Sequence, residues 1–233
     1  MELHDAPATY LFKLWPWLEA NRIRIIWVSG VIVVAAGVIS FYSWQRGQNE
    51  ITAGKALTQM MSSIPRNATA SQQADLYLKI AADYQGTSAG QRALLQAAAM
   101  LFAAGRYADA QAQFQKFLDV HPDSFFAAQA ALGVATSLDA QEGKTDLAAG
   151  VYQRIINTYS DAVAVDSARF ALAQIDEHQG KLAEAANLYE AIVRYNPNGS
   201  LGSEAGLRLM ELKMKLQSAS PSTAPAAPFK PNH

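Results

Sequence analysis

Histidine and carboxylate side chains are the residues of this chain that could act in acid–base catalysis or bind a metal ion. Asp166, Asp176 and Glu177 fall on one predicted helix, where carboxylates are usually solvated. His121 and His178 come at the ends of predicted helices, where a cation is favourable beside the helix dipole. No histidine lies within helical reach of another, which a shared metal site on one helix would require. The four histidines are His4, His121, His178 and His233.

Other catalytic groups are also missing from the sequence. There is no cysteine, which excludes disulfides, thiolate zinc sites, iron–sulfur clusters and cysteine nucleophiles. No glycine-rich phosphate loop or nucleophile elbow is present. The formal net charge of −1 argues against a nucleic-acid-binding protein, which needs a basic patch to neutralise phosphates. The sequence therefore predicts a protein that is not an enzyme and that has no catalytic, cofactor-binding or metal-binding residues.

An uncharged segment near the N-terminus, residues 25–45, predicts a transmembrane helix. It lies between Arg24 and Arg46, and as a helix it would be about 30 Å long, the thickness of the hydrocarbon core of a bilayer. Trp27 and Trp44 fall near its two ends, where aromatic residues are common. The segment is longer than the apolar part of a cleavable signal peptide, and bulky residues follow it where a cleavage site would need small ones.

The residues around this span indicate its orientation. Basic residues are slightly more numerous before it (Lys13, Arg22 and Arg24) than after it (Arg46 and Lys55). By the positive-inside rule the N-terminus is cytoplasmic, and the bulk of the chain lies in the periplasm of a Gram-negative bacterium. Residues 1–24 form a cytoplasmic leader. It is either a short amphipathic helix on the inner membrane surface or an irregular lead-in, because Pro16 interrupts the pattern.

Small residues recur at helical spacing within the predicted span. Small side chains let another helix approach closely, so this stripe is a candidate interface with the membrane helix of a partner. The same residue types are also common in membrane helices that make no such contact. The stripe consists of Ser29, Gly30, Ala36, Gly37, Ser40 and Ser43.

Residues 47–216 contain a sequence repeat with steps of 38 and 37 residues. Each copy has a glycine, then a small residue, an aromatic four positions later and an apolar residue three positions after that. A weaker upstream copy places Tyr77 and Ile80 in the same frame, with Gln73 at the alanine position. The three full copies are Gly105, Tyr107, Ala110, Phe114, Phe117 and Pro122; Gly143, Thr145, Ala148, Tyr152, Ile155 and Ser160; and Gly180, Leu182, Ala185, Tyr189, Ile192 and Pro197.

Each copy predicts two helices. The glycine ends the first helix, because it can turn the chain without a Cβ penalty. The aromatic and the apolar residue share one face of the second helix, and the proline that follows ends it. Since one such hairpin cannot bury its own apolar face, neighbours must stack. The predicted fold is all-α: one transmembrane helix, then an α-solenoid of three to four hairpins and a capping helix.

The C-terminal part of the chain is predicted to close the stack. Residues 203–217 form the capping helix and are expected to turn a polar face outward. Residues 217–233 contain four of the nine prolines and are expected to be a disordered, proline-rich tail.

The repeat pattern resembles the tetratricopeptide repeat. Leu132 and Gly133 match its Leu-Gly pair, and Leu172 and Ala173 are a close variant. The usual period is about 34 residues, so the longer period here implies longer helices or loops. The resemblance implies stacked helical hairpins with a groove that binds other proteins.

The whole layout is similar to the YfgM-like family, the ancillary subunit of the bacterial Sec translocon. The likeness covers about residues 20–216. It implies a protein-binding scaffold of the inner membrane that links secretion to periplasmic chaperones, with translocon subunits, chaperones or other envelope proteins as partners. Besides the repeats, it rests on the end of the apolar segment, with Phe41, Tyr42, Trp44 and Arg46.

Six residues are predicted, from their register on the first helix of each hairpin, to line the binding groove. The alternative is that they are solvated positions without a role. Two other functions remain open: a scaffold for cell-wall synthesis, division or outer-membrane assembly, and an accessory structural subunit of a membrane energy complex. The six residues are Arg92, Gln96, Phe102, Gln141, Gln174 and Glu177.

Overall fold

The computed structural model describes residues 6–160 and 162–219, with the side chains of 6–18, 25, 162 and 219 left out. Its regular secondary structure over these residues is entirely α-helical, so the predicted all-α class is confirmed. Of the predicted tail, residues 217–219 are helical, so the prediction of disorder is wrong for them, and residues 220–233 lie outside the described residues. The helices are α1 (Ala6–Ser63), α2 (Ala70–Asp83), α3 (Ser88–Ala103), α4 (Tyr107–Val120), α5 (Ala127–Asp139), α6 (Thr145–Thr158), α7 (Ala162–His178), α8 (Leu182–Tyr195) and α9 (Gly202–Ala219).

The chain divides into two compact units, Met1–Ala56 and Leu57–His233. The first unit contains most of α1, which is helical from Ala6 onward and continues through Pro16. An irregular lead-in at this proline is therefore wrong. Proline removes one N–H group but its fixed φ is close to the helical value, so helix can form on both sides of it.

One helix of the described part of the chain is long and apolar enough to cross a membrane, and it lies within α1. The predicted segment 25–45 falls inside it. The large apolar side chains from Ile26 to Trp44 are about half to three-quarters exposed. Because such side chains are favourable in hydrocarbon and unfavourable in water, this surface suits a lipid environment.

The second unit is a stack of helical hairpins. We call α3, α5 and α7 the A helices and α4, α6 and α8 the B helices, so that each hairpin is an A helix followed by a B helix. From α2 to α9 every helix packs against the next one along the chain, and α5 also contacts α3 and α7. This arrangement is the predicted solenoid of hairpins, with α9 packed on α8 at its end.

Two ladders of buried residues show how the hairpins are stacked. Four alanines on successive A helices and α9 are fully buried, and four aromatic residues on α2 and the B helices are buried as well. Both ladders advance in steps of 37, 38 and 37 residues, so equivalent positions of each hairpin recur in the core, which is divided into three clusters of buried residues. The ladders are Ala93, Ala130, Ala168 and Ala205, and Tyr77, Phe114, Tyr152 and Tyr189.

The other predicted packing positions follow the same division between core and turns. Ile80, Tyr107 and Leu132 are half-buried, and Gly105, Pro122 and Pro197 lie at the surface. At the upstream alanine position, Gln73 is half-buried and donates a hydrogen bond to the carbonyl of Ala68 (3.0 Å). The buried positions are Ala110, Phe117, Gly133, Ala148, Ile155, Leu172, Ala185 and Ile192.

The turns of the hairpins use glycine where the sequence predicted it. Gly105, Gly143 and Gly180 adopt φ of 75°, 73° and 75°, a left-handed conformation that costs other L-residues about 1–2 kcal/mol. A fourth left-handed glycine, Gly86 (φ 80°), follows α2 and was not predicted.

Two sequence expectations about this unit are wrong. Leu172 is not the equivalent of Leu132, because it lies 40 residues later, whereas the buried ladder places Phe170 at the step of 38. In addition, the outward face of α9 is only partly polar: beside its exposed charged residues it exposes Leu207, Met210 and Met214. The pattern of charges along α9 did not reveal this, because those charges flank an apolar stripe.

Candidate protein-binding surface

The exposed side of the A helices is the surface on which the six groove residues were predicted. The structure brings two of them together: Gln174 and Glu177 lie one turn apart on α7 and line a cleft with His178 and with Arg208 of α9. The two residues are half-buried. The cleft therefore offers amide, carboxylate, imidazole and guanidinium groups within a small area.

Hydrogen bonds hold the walls of this cleft in place. The hydroxyl of Tyr189 on α8 donates to Oε1 of Glu177 (2.6 Å), and Nδ1 of His178 lies 2.8 Å from the carbonyl oxygen of Gln174. Burial of the Tyr189 ring, together with its bond to the Glu177 carboxylate, raises the pKa of the tyrosine hydroxyl. The hydroxyl consequently stays protonated and fixes one oxygen of Glu177, while the guanidinium of Arg208 and the amide of Gln174 face the cleft.

Gln141 was predicted to line the groove, but both the nitrogen and the oxygen of its side-chain amide form hydrogen bonds within the domain. Its Nε2 donates to the carbonyl oxygen of Ser137 (2.8 Å) and to Oε1 of Gln111 (3.0 Å). Its Oε1 accepts a hydrogen bond from Nζ of Lys144 (2.7 Å). These contacts tie the end of α5 to α4 and to the start of α6, so Gln141 acts in this structure as a link between helices.

The remaining three predicted groove residues lie on α3. Phe102 is half-buried, with its ring centre 5.1 Å from that of Tyr107. Arg92 is exposed, and its guanidinium lies 5.9 Å from the ring centre of Phe126, within the range of a cation–π contact. Gln96 is exposed one turn further along α3. The three lie along α3 and do not join the Gln174 cleft.

Clefts between successive B helices were missed by the sequence reasoning. One lies between the ends of α6 and α8 and contains Asp166, which is only 4% exposed. Its two oxygens accept hydrogen bonds from Arg169 (3.0 Å) and from Asn196 (3.0 Å). The expectation that Asp166 is solvated is wrong, because the Asn196 amide, 30 residues away in the sequence, reaches it only in the folded chain.

Asp176 is buried too, again contrary to the expectation of a solvated carboxylate. The nearest basic group is Nζ of Lys181, 3.8 Å from its Oδ1. Desolvation by burial raises the pKa of Asp176, and the charge of Lys181 partly opposes this.

The histidines and acidic residues do not form a metal site in the described residues, where no group of three or more His, Cys, Asp or Glu comes together. His121 follows α4 and stacks near Phe117, with ring centres 5.3 Å apart. His178 occupies the last turn of α7, where a positive charge is favourable. His4 and His233 lie outside the described residues.

The small-residue stripe of α1 faces outward along its whole length. Every stripe position is exposed, and a Cβ atom added at Gly30 or Gly37 would meet nothing within 4 Å. Oγ of Ser43 donates to the carbonyl oxygen of Ser40 (2.8 Å), which satisfies that hydroxyl within the helix. The stripe is therefore open to a neighbouring helix.

Comparison with known proteins places this fold in a family. A search of curated proteins finds no match. A family model described as a tetratricopeptide repeat-like domain matches residues 16–151, which is more than half of the 233 residues and runs from within α1 into α6. Proteins of this repeat type are typically non-enzymatic scaffolds that bind other proteins. The chain belongs to the tetratricopeptide repeat-like domain family.

Proposed function

We propose that this protein is a membrane-anchored scaffold that binds a segment of another protein on the exposed side of its A helices. The observation that carries the proposal is the cleft of Gln174, Glu177, His178 and Arg208 on a stack of hairpins of the tetratricopeptide type. Its groups can donate and accept hydrogen bonds and are held by neighbouring helices, so a partner's backbone or polar side chains meet preorganised contacts.

The anchor proposed for the scaffold is residues 25–45, and the interacting domain is residues 47–216. A helix of this length and apolar surface supports an anchor. We place the N-terminus in the cytoplasm and the repeat domain in the periplasm of a bacterial inner membrane, on the excess of basic residues before the span. The small-residue stripe is proposed to contact the membrane helix of a partner.

The specific role that we propose is that of an ancillary translocon subunit that passes secreted chains to periplasmic chaperones. It is supported by the likeness to the YfgM-like family at Phe41, Tyr42, Trp44 and Arg46, combined with the hairpin domain. Translocon subunits would meet the membrane helix, and chaperones would meet the A-helix surface.

Photo-crosslinking in cells tests the proposed partners. A photoreactive amino acid replaces Gln174 in the cleft or Ser40 in the anchor, and the adducts are identified by mass spectrometry. The matched control is Gln153, an exposed residue of α6 on the B-helix side. We expect chaperone adducts from position 174, translocon adducts from position 40 and neither from position 153.

Other adducts would contradict the proposed role. Wall synthases or outer-membrane assembly factors at position 174 would make the protein a scaffold of envelope assembly. Co-purification of pigment or redox cofactors with position-40 adducts would place it in an energy complex. If position 174 gave no more adducts than position 153, the A-helix surface would not be the binding surface.

A further inference from the structure

The outward face of α9 carries an apolar stripe that the hairpin stack leaves uncovered. Leu207, Met210 and Met214 are 67%, 56% and 59% exposed, and they lie opposite Ala205 and Leu212, which are buried against the rest of the domain. Spacings of three and four residues place the stripe on one side of the helix. Apolar side chains grouped together on a protein surface often mark an interaction site.

The repeat register shows what kind of element fits this stripe. On α7 the position equivalent to Leu207 is Phe170, whose ring packs edge-on against Tyr189 of the following B helix, with ring centres 5.3 Å apart. At the position of Met210 the A helices carry fully buried alanines. Leu207 and Met210 thus lie on the face with which each A helix packs against the next helix. The equivalents, in steps of 37, 38 and 37 residues, are Leu95, Leu132 and Phe170 for Leu207, and Ala98, Ala135 and Ala173 for Met210.

The residues that follow α9 in the sequence are rich in proline. Between residues 220 and 233, successive prolines are three or four residues apart. A proline in a helix interior removes a hydrogen bond and clashes with the preceding turn. A segment with prolines at this spacing is poorly suited to form the helix that covers the stripe.

We propose that the stripe is a self-association surface, and that α9 of a second copy packs on it in antiparallel orientation about a twofold axis near Met210. Leu207 and Met214 are equally far from the proposed axis, on either side of it. In the antiparallel pair, Leu207 of one copy therefore faces Met214 of the second copy. Glu204 and Lys215 lie on one flank of the stripe. The midpoint between these two residues is one residue, or about 1.5 Å along the helix, from the midpoint between Leu207 and Met214.

The charges of α9 select the antiparallel arrangement. An antiparallel pair brings the carboxylate of Glu204 close to the ammonium of Lys215 in the second copy, twice by symmetry. In a parallel pair, the twofold axis runs along the helices and places this flank of the two copies on opposite sides of the contact, so Glu204 and Lys215 of different copies do not meet. Lys215 also bonds to Glu211 within its own helix (2.7 Å), which keeps its charge on this flank.

The size of the stripe predicts a weak contact that depends on concentration. Three side chains cover a few hundred Å², below the roughly 1,200 Å² of total burial typical of a stable complex. Chains held by an anchor in one membrane meet at a raised effective concentration, which compensates for a weak contact. Methionine side chains adapt to an opposing surface. This inference does not depend on which partner binds the A-helix surface.

Because the chain has no cysteine, single-cysteine variants test the proposal directly. Full-length Met210→Cys protein in native membranes is treated with the oxidant copper–phenanthroline, and disulfide-linked dimers are separated on non-reducing gels. We expect a dimer, because the two positions meet at the axis. Gln217→Cys, exposed near the end of α9, is the matched control and should stay monomeric, because the antiparallel pair separates its two copies by about 20 Å along the helix.

A second variant checks that the stripe causes the contact. Adding Leu207→Lys to Met210→Cys should lower the crosslinked fraction at least tenfold while leaving the thermal unfolding of the protein unchanged, because Leu207 is exposed. Self-association through α9 would be refuted by the absence of a dimer from Met210→Cys, by crosslinking to a different protein instead of a second copy, or by equal dimer yields from Gln217→Cys, which would indicate a parallel pair.

Discussion

Gly133 on α5 shows at the level of one residue how closely neighbouring hairpins approach. A Cβ atom at this position would lie 2.6 Å from ring atoms of Phe114 on α4, and that ring is buried, so it has little room to move. Glycine inside a helix usually costs about 1 kcal/mol relative to alanine. The close contact outweighs this cost and explains the Leu-Gly pair of the repeat.

Replacing Gly133 by alanine is expected to destabilise the repeat domain. The added methyl must displace the Phe114 ring or the helix, and overpacking of this kind lowers the free energy of unfolding by about 1–3 kcal/mol. Urea denaturation followed by circular dichroism at 222 nm measures the change.

Gly150 offers a matched control within α6. A Cβ atom there meets nothing within 4 Å, so Gly150→Ala removes only the conformational freedom of glycine and should raise the free energy of unfolding by about 0.4–1 kcal/mol. If both alanine variants changed stability in the same direction, close packing at Gly133 would not be the reason for its glycine.

Asp176 provides a prediction for the pH dependence of stability. Because desolvation by burial raises its pKa above the ordinary 3.8, the folded state binds the proton more tightly than the unfolded state. The stabilisation from this group is complete below pH 3.8 and is lost as the pH rises through the folded pKa.

Asp176→Asn should therefore stabilise the protein at neutral pH, by less than about 1 kcal/mol, because a buried charge is replaced by a neutral amide. Near pH 3 the two proteins should unfold at the same denaturant concentration. A variant that was less stable at pH 7 would mean that the contact with Lys181 outweighs the desolvation of the carboxylate.

At the scale of the helix, the residues of α4 that belong to the core lie on one side of the helix. Phe117 is fully buried between hairpins, whereas Val120, in the next turn, is 61% exposed. We expect Phe117→Ala to lower the free energy of unfolding by about 3–5 kcal/mol, from lost burial and the cavity left behind.

Val120→Ala in the same helix should change the free energy of unfolding by no more than about 0.5 kcal/mol. The comparison uses one denaturation assay for both variants, so effects of helix propensity largely cancel. Equal losses from the two substitutions would mean that α4 does not face the core with Phe117.

At the scale of the whole molecule, the apolar surface of α1 predicts that the protein is held in a membrane. Val34 and Val38 lie one turn apart within the 25–45 segment and are exposed. An arginine at the centre of a span costs about 2.5–3.5 kcal/mol, so the double variant Val34→Arg, Val38→Arg should largely lose membrane insertion.

Alkaline carbonate extraction of isolated membranes measures this effect. The unmodified protein should remain in the pellet and the double variant should appear in the supernatant, while Val120→Arg, which places the charge outside α1, should behave like the unmodified protein. Release of the unmodified protein by carbonate would contradict the proposed anchor.

The sequence by itself determined the elements of this protein and their order. Glycine at the turns and the aromatic and apolar residues of each B helix act within one helix or one turn, so their spacing was sufficient to predict the hairpins. The long apolar helix within α1 could also be predicted from the sequence, because its length and composition are local properties. Of the groove, the sequence anticipated that Gln174 and Glu177 share one side of α7.

Only the tertiary structure decided which residues meet across the stack. Asp166 is buried because Asn196, at the other end of the same hairpin in the sequence, reaches its carboxylate, and Arg208 of α9 lines the same cleft as Gln174 of α7. The outward side of α9 proved partly apolar because its buried side is fixed by contacts with α8. Such contacts depend on how each helix is rotated against its neighbours. The packing of the whole core determines that rotation, and the local sequence pattern carries no information about it.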